Sequence, residues 1–139
     1  MVNVSKDVFR GLREEELRNM PLEEFMKLVK ARPRRAIKRA LDGLNIEYMH
    51  LIENVRKLKK KNHKKLKSGI KTHCREAVII PEWLGLKFLV YNGKEWKPVE
   101  ITVDKLGHRL GEYSYSTTFT HHSGPGVGAT RGSKFISVK

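Results

Sequence analysis

The 139-residue chain reads as α+β: a small three-stranded sheet packed against one long helix, with a helical N-terminal extension and an irregular C-terminal tail. Three observations carry that reading. Asn92-Gly93 is a strong hairpin signal, because both central residues of a tight hairpin turn need positive φ. Leu44, Tyr48, Leu51, Val55 and Leu58 recur at three- and four-residue steps, the period of one helix face. Near the end, Gly124, Pro125, Gly126, Gly128 and Gly132 leave residues 119–139 little means of folding alone. The chain divides accordingly into residues 1–30 (extension), 31–118 (basic helix plus sheet) and 119–139 (extended tail).

Residues 1–11 carry no periodic signal and are expected to be irregular. LREEELRNM (residues 12–20) predicts a short helix with its acids early, where they suit the helix dipole. Those carboxylates have no paired partner elsewhere and read as a solvated face. Pro21 suits the first position of a second helix lined by Leu22, Phe25, Met26 and Val29. ARPRRAIKRAL (residues 31–41) predicts a helix begun at Pro33 and interrupted by Gly43, before the long amphipathic helix. Residues 63–75 form a basic linker turning at Ser68-Gly69, in which Lys71, His73 and Arg75 alternate and face one side if extended. Residues 77–80 predict a buried strand ended by Pro81.

KFLVY (residues 87–91) and KPVEI (residues 97–101) complete the sheet. Pairing across a two-residue turn places Phe88, Val90, Val99 and Ile101 on the core face. Thr102 reads as the N-cap of one helical turn, VDKL, stopped by Gly107. Gly107 and Gly111 then bracket His108 and Arg109, two donors on backbone that can approach something closely.

The net charge is +14 and unevenly placed. Residues 1–30 are neutral and residues 76–112 carry −1. Residues 31–75 hold fifteen basic and three acidic residues, hence +12, and residues 113–139 carry +3. Such a segment repels itself and calls for a polyanionic partner. A membrane surface is disfavoured, since the helix's apolar stripe is narrow and lacks Trp and Phe. One cysteine, Cys74, permits no internal disulfide and suits a reducing compartment. No apolar run has the length of a membrane span, so a soluble, intracellular chain is expected.

Catalysis and metal binding find little support. His73, Cys74, His108, His121 and His122 lack the paired spacing of a zinc site. His73 and His108 as acid and base have no nucleophile or phosphate-cradling loop beside them, and GPGVGA lacks the lysine and hydroxyl of a nucleotide-binding loop. No enzyme activity, cofactor or metal is expected. Trp83 and Trp96 read as core or partner-contact residues.

Several blocks in order resemble the small-subunit ribosomal protein nineteen family (counted as fifteen in eukaryotes). They are KTHCR (71–75), AVIIPEWLG (77–85), VYNGK (90–94), and Ile101, Leu106-Gly107, Leu110-Gly111-Glu112-Tyr113 and Ser116. GPGVGATRGSKF (124–135) resembles the tail of the archaeal and eukaryotic branch. Tyr113 stands where the family usually has Phe. The resemblance implies a structural, cytoplasmic constituent of the small-subunit head that binds small-subunit rRNA. It further implies a pairing with neighbouring small-subunit ribosomal protein thirteen, and a tail that extends toward the decoding centre and tRNA. Carried onto this sequence, the RNA-binding residues are Lys71, Thr72, His73, Arg75, Asn92, Lys94, His108 and Arg109, with Thr130, Arg131, Ser133 and Lys134 in the tail. Arg34, Arg35, Lys38 and Arg39 extend the basic surface on composition alone. The alternative is a basic RNA-binding or RNA-processing factor outside the ribosome.

Overall fold

A computed structural model describes residues 8–61 and 65–117, with the side chains of Lys65 and Lys67 left aside. Its first element departs from expectation. Strands β1 (Val8–Phe9) and β2 (Leu12–Arg13) form an antiparallel ribbon in which Val8 faces Arg13 and Phe9 faces Leu12. Arg10 and Gly11, at φ 53° and 88°, make the two-residue turn. Arginine rarely takes that conformation, which is why the turn is hard to read in sequence.

Four helices follow. Helix α1 (Glu14–Asn19) starts after the ribbon, with Glu16 accepting the Arg13 N–H at 2.9 Å. Helix α2 (Leu22–Leu28) has Pro21 just outside it, at the cap. Helix α3 (Ala31–Leu41) begins at Ala31, two residues before Pro33. A proline in the first turn is tolerated because its missing N–H has no intrahelical acceptor there. Helix α4 (Ile46–Lys60) is capped by Asn45, whose Oδ1 accepts the Tyr48 N–H at 3.1 Å. That cap leaves Leu44 outside the helix and 76% exposed, so the apolar stripe starts at Tyr48.

The sheet has three strands, but one is not where the sequence placed it. The order is β3 (Ile70–Thr72), β4 (Lys87–Tyr91), β5 (Trp96–Glu100), with β3 parallel and β5 antiparallel to β4. Strand β3 lies in the presumed linker, after the one-turn helix α5 (Lys65–Ser68). Residues 77–80 are fully buried yet join no sheet. They run instead beside the 107–111 segment. Ile79 N–H donates to the His108 carbonyl at 2.8 Å, Gly107 N–H to Ile79 at 3.0 Å, and Leu110 N–H to Ala77 at 3.0 Å. An all-apolar run reports burial on every side; it does not report which backbone pairs with it.

The hairpin turn also differs. Tyr91 pairs with Trp96, leaving a four-residue loop. Asn92 Oδ1 accepts the N–H groups of Lys94 and Glu95 at 2.9 and 2.8 Å, a side-chain turn that displaces the two-residue one. The core face survives the change: Phe88 faces Val99, Val90 is buried beside them, and Ile101 is buried just past the strand. Pro98 lies exposed on β5, an edge strand, where its missing donor does no harm. Beyond it, residues Val103–Lys105 form a 3₁₀ turn that Thr102 precedes without a side-chain cap bond.

Trp83 joins the two layers. It is fully buried, edge-on to Tyr48 of α4 (6.1 Å, 73°) and 5.0 Å from Phe88 of β4. The N-terminal helices share this core through Leu17, Phe25 and Val29, and Phe25 meets Phe9 of the ribbon at 6.0 Å.

Candidate nucleic-acid interface

The 71–75 block alternates, although not as an even row of donors. Lys71 and His73 are exposed, while Thr72 and Cys74 are buried. Thr72 Oγ1 accepts the Cys74 N–H at 3.1 Å, so its hydroxyl oxygen braces the local backbone. Arg75 turns inward. Its guanidinium donates to the carbonyls of Tyr91 (3.2 Å), Gly111 (3.4 Å) and Ser114 (2.5 Å), bracing the hairpin against the 110–114 turn. Burial pushes the Cys74 thiol above its ordinary pKa, which keeps it an unreactive thiol.

The glycines around His108 and Arg109 serve the protein's own packing. A Cβ on Gly111 would lie 3.0 Å from the Arg75 carbonyl oxygen, and one on Gly107 (φ 76°) 3.3 Å from Val29 Cγ1. This close approach fixes the backbone that carries the two donors. Glu112 then accepts from both neighbours: His108 Nδ1 at 2.7 Å and the Arg109 N–H at 3.0 Å. Partial burial raises the Glu112 pKa, but the hydrogen bonds from Arg109 and His108 outweigh it, and the net shift is downward. The Arg109 guanidinium has no hydrogen bond or ion pair among the described residues. A cleft of about 620 Å³ brings His73, Arg75 and Arg109 together, although they are far apart in sequence.

Asn92 is occupied by its turn, and its Nδ2 donates to the Tyr115 carbonyl at 3.2 Å; Lys94 beside it is exposed. On α3, Arg34 donates to the Val29 carbonyl at 3.1 Å. Arg35, Lys38 and Arg39 are exposed around the buried Ile37 and Ala40. The lysine run of α4 is partly spent. Arg56 forks onto Glu82 at 2.6 and 2.9 Å, Lys59 Nζ reaches the Glu82 carbonyl, and Lys57 pairs with Glu53 at 3.6 Å. Thr130, Arg131, Ser133 and Lys134 lie outside the described residues.

One group escaped the sequence reading. Tyr91 and Trp96, partners in the hairpin, meet His73, with ring centres 4.9–5.1 Å apart in all three pairs. Lys71 Nζ sits 5.3 Å from the Trp96 ring. The signal exists in the alternation of KFLVY, which turns Tyr91 away from Phe88 and Val90. It becomes legible only once Trp96 is known to face Tyr91.

No group of three His, Cys, Asp or Glu residues that could hold a metal gathers among the described residues. No helix among them is long and apolar enough to cross a membrane. Exposed cations and ring donors on a small rigid frame are the groups that a contact surface for a polyanion uses. The family model for Ribosomal protein S19 matches residues 38–122. The chain is also 46% identical, over 131 residues, to the "Small ribosomal subunit protein uS19" of Saccharolobus solfataricus, covering 94% of this chain and 90% of that one. The chain belongs to the ribosomal protein S19 family; it is a ribosomal protein and not an enzyme.

Proposed function

We propose that this chain is a structural constituent of the small ribosomal subunit, seated in its head, where it binds small-subunit rRNA. The observation that carries the reading is the likeness to the archaeal small-subunit protein along 94% of the chain. The +12 charge of residues 31–75 agrees with it. Lys71, His73, Lys94, His108 and Arg109 are the direct donors to RNA, with Arg35, Lys38 and Arg39 adding phosphate contacts from α3. Thr72, Arg75 and Asn92 act behind them, holding the backbone that presents these groups. Arg34 contributes its remaining donors. Small-subunit ribosomal protein thirteen is the neighbouring protein partner. The tail, with Thr130, Arg131, Ser133 and Lys134, extends toward the decoding centre and tRNA; its charge of one sign suits an RNA-lined path.

Cofractionation tests this. The protein should remain stoichiometric with small subunits through a high-salt wash. A substoichiometric protein that washes off would instead be a free RNA-binding or RNA-processing factor. Crosslinking from position 131 tests the tail, and crosslinks confined to large-subunit or solvent-side neighbours would refute its path.

A further inference from the structure

We propose that Lys71, His73, Tyr91 and Trp96 form a stacking site for one unpaired nucleobase of single-stranded RNA, on the sheet face opposite the core. The proposal rests on the RNA-binding reading above and adds a base-recognition site to it. Register makes the face. Ile70 and Thr72 of β3, Phe88 and Val90 of β4 and Val99 of β5 point into the core. Lys71 therefore pairs with Leu89 on the outer side, and Tyr91 with Trp96.

Trp96 and Tyr91 are only partly buried and His73 is exposed, so some ring surface is left to solvent. The rings are tilted 49–78° to one another. None is sandwiched between parallel neighbours, and a flat heterocycle can lie against a free face. Tyr91 Oη is held by the Gly93 carbonyl at 2.8 Å, which fixes that ring before anything binds.

The occupant follows from charge. Lys71 Nζ lies over the Trp96 ring, and Lys94 is exposed on the adjoining loop. The one acid on that loop, Glu95, is paired with Lys97 at 2.7 Å. An aromatic protein side chain would gain from the rings alone. A nucleotide gains from both, its base on the ring and its phosphate on the lysines. An unpaired, unstacked base is required, because a base inside a helix is stacked on its neighbours and has no open face to offer.

The test uses the full chain with two probes, hexaadenylate and inorganic polyphosphate of matched charge, followed by tryptophan fluorescence. Trp83 is buried, so quenching on binding reports Trp96. Hexaadenylate should quench and polyphosphate should not. With affinities read by titration calorimetry, Trp96→Leu should weaken hexaadenylate binding about five- to a hundredfold, the loss of one stacked base, with polyphosphate affinity unchanged. Equal losses for both probes, or no loss, would overturn the stacking site while leaving the RNA reading intact. Binding of neither probe at low salt would overturn both. A second measurement needs no variant: hexauridylate bearing 4-thiouridine should photocrosslink the wild-type chain at His73, Tyr91 or Trp96. Crosslinks found only elsewhere would refute the site.

Discussion

Tyr48 Oη donates to the Val78 carbonyl at 2.9 Å, tying the first turn of α4 to a segment thirty residues further on. Val78 in turn bridges Arg109, so one buried hydrogen bond connects the long helix to the backbone that presents two proposed RNA donors. Burial pushes the Tyr48 phenol far above its ordinary pKa, and it remains a donor throughout the physiological range. Tyr48→Phe leaves that carbonyl buried without this partner. Unfolding by urea should show a loss of about 1–3 kcal/mol. A neutral outcome would mean that the carbonyl finds another donor.

The approach of residue 111 to Arg75 should tolerate no side chain. In Gly111→Ala the new Cβ meets backbone at 3.0 Å, beside the 2.8 Å hydrogen bond from Gly111 N–H to the Arg75 carbonyl. Backbone on both sides cannot yield cheaply, so a loss of roughly 1–3 kcal/mol is expected. Gly93→Ala tests strain of another kind, since its Cβ meets open space but its φ is 100°. Thermal unfolding of both variants measures packing against backbone strain.

Arg109 and Arg75 should separate by role. Arg109→Ala removes a guanidinium with no partner among the described residues. It should lower affinity for an rRNA fragment and flatten the salt dependence of log K by about 0.7–0.9, at unchanged melting temperature. Arg75→Ala removes three internal hydrogen bonds and should lower stability and affinity together. Paired titrations and melts decide it; a destabilised Arg109→Ala would make that residue part of the frame.

Acid should loosen the clamp between α4 and the 3₁₀ turn Pro81–Trp83. Hydrogen bonds from Arg56 hold the Glu82 carboxyl below its ordinary value of 4.5. A depressed carboxyl stabilises the folded state fully above the unfolded-state value. That stability fades as pH falls through 4.5 and through the lower folded-state value. Glu82→Gln should therefore remove part of the loss of stability below about pH 4.5. The pair is partly exposed, so the effect is modest and shrinks in salt. Identical pH profiles for both proteins would rule out the clamp.

Local chemistry in the sequence determined the α+β class, the long helix, the central hairpin and its core face. Helical period, turn residues and strand alternation are each written within a few positions. The same locality fixed the +12 segment, the ground for proposing a polyanionic partner. The tertiary structure decided which backbones pair. Residues 77–80 are apolar enough for any buried strand, and only the fold sets them beside 107–111 and gives the third strand to Ile70–Thr72. It also sorted the cations. Arg75, Arg56 and Lys59 look in sequence like any other donors, and distant carbonyls or Glu82 claim them. Lys71, Lys94 and Arg109 were left outward. The aromatic cluster depended on register, because Tyr91 meets Trp96 only after Asn92 lengthens the turn to four residues. A contact between residues far apart is a property of the closed chain, and sequence period carries no record of it.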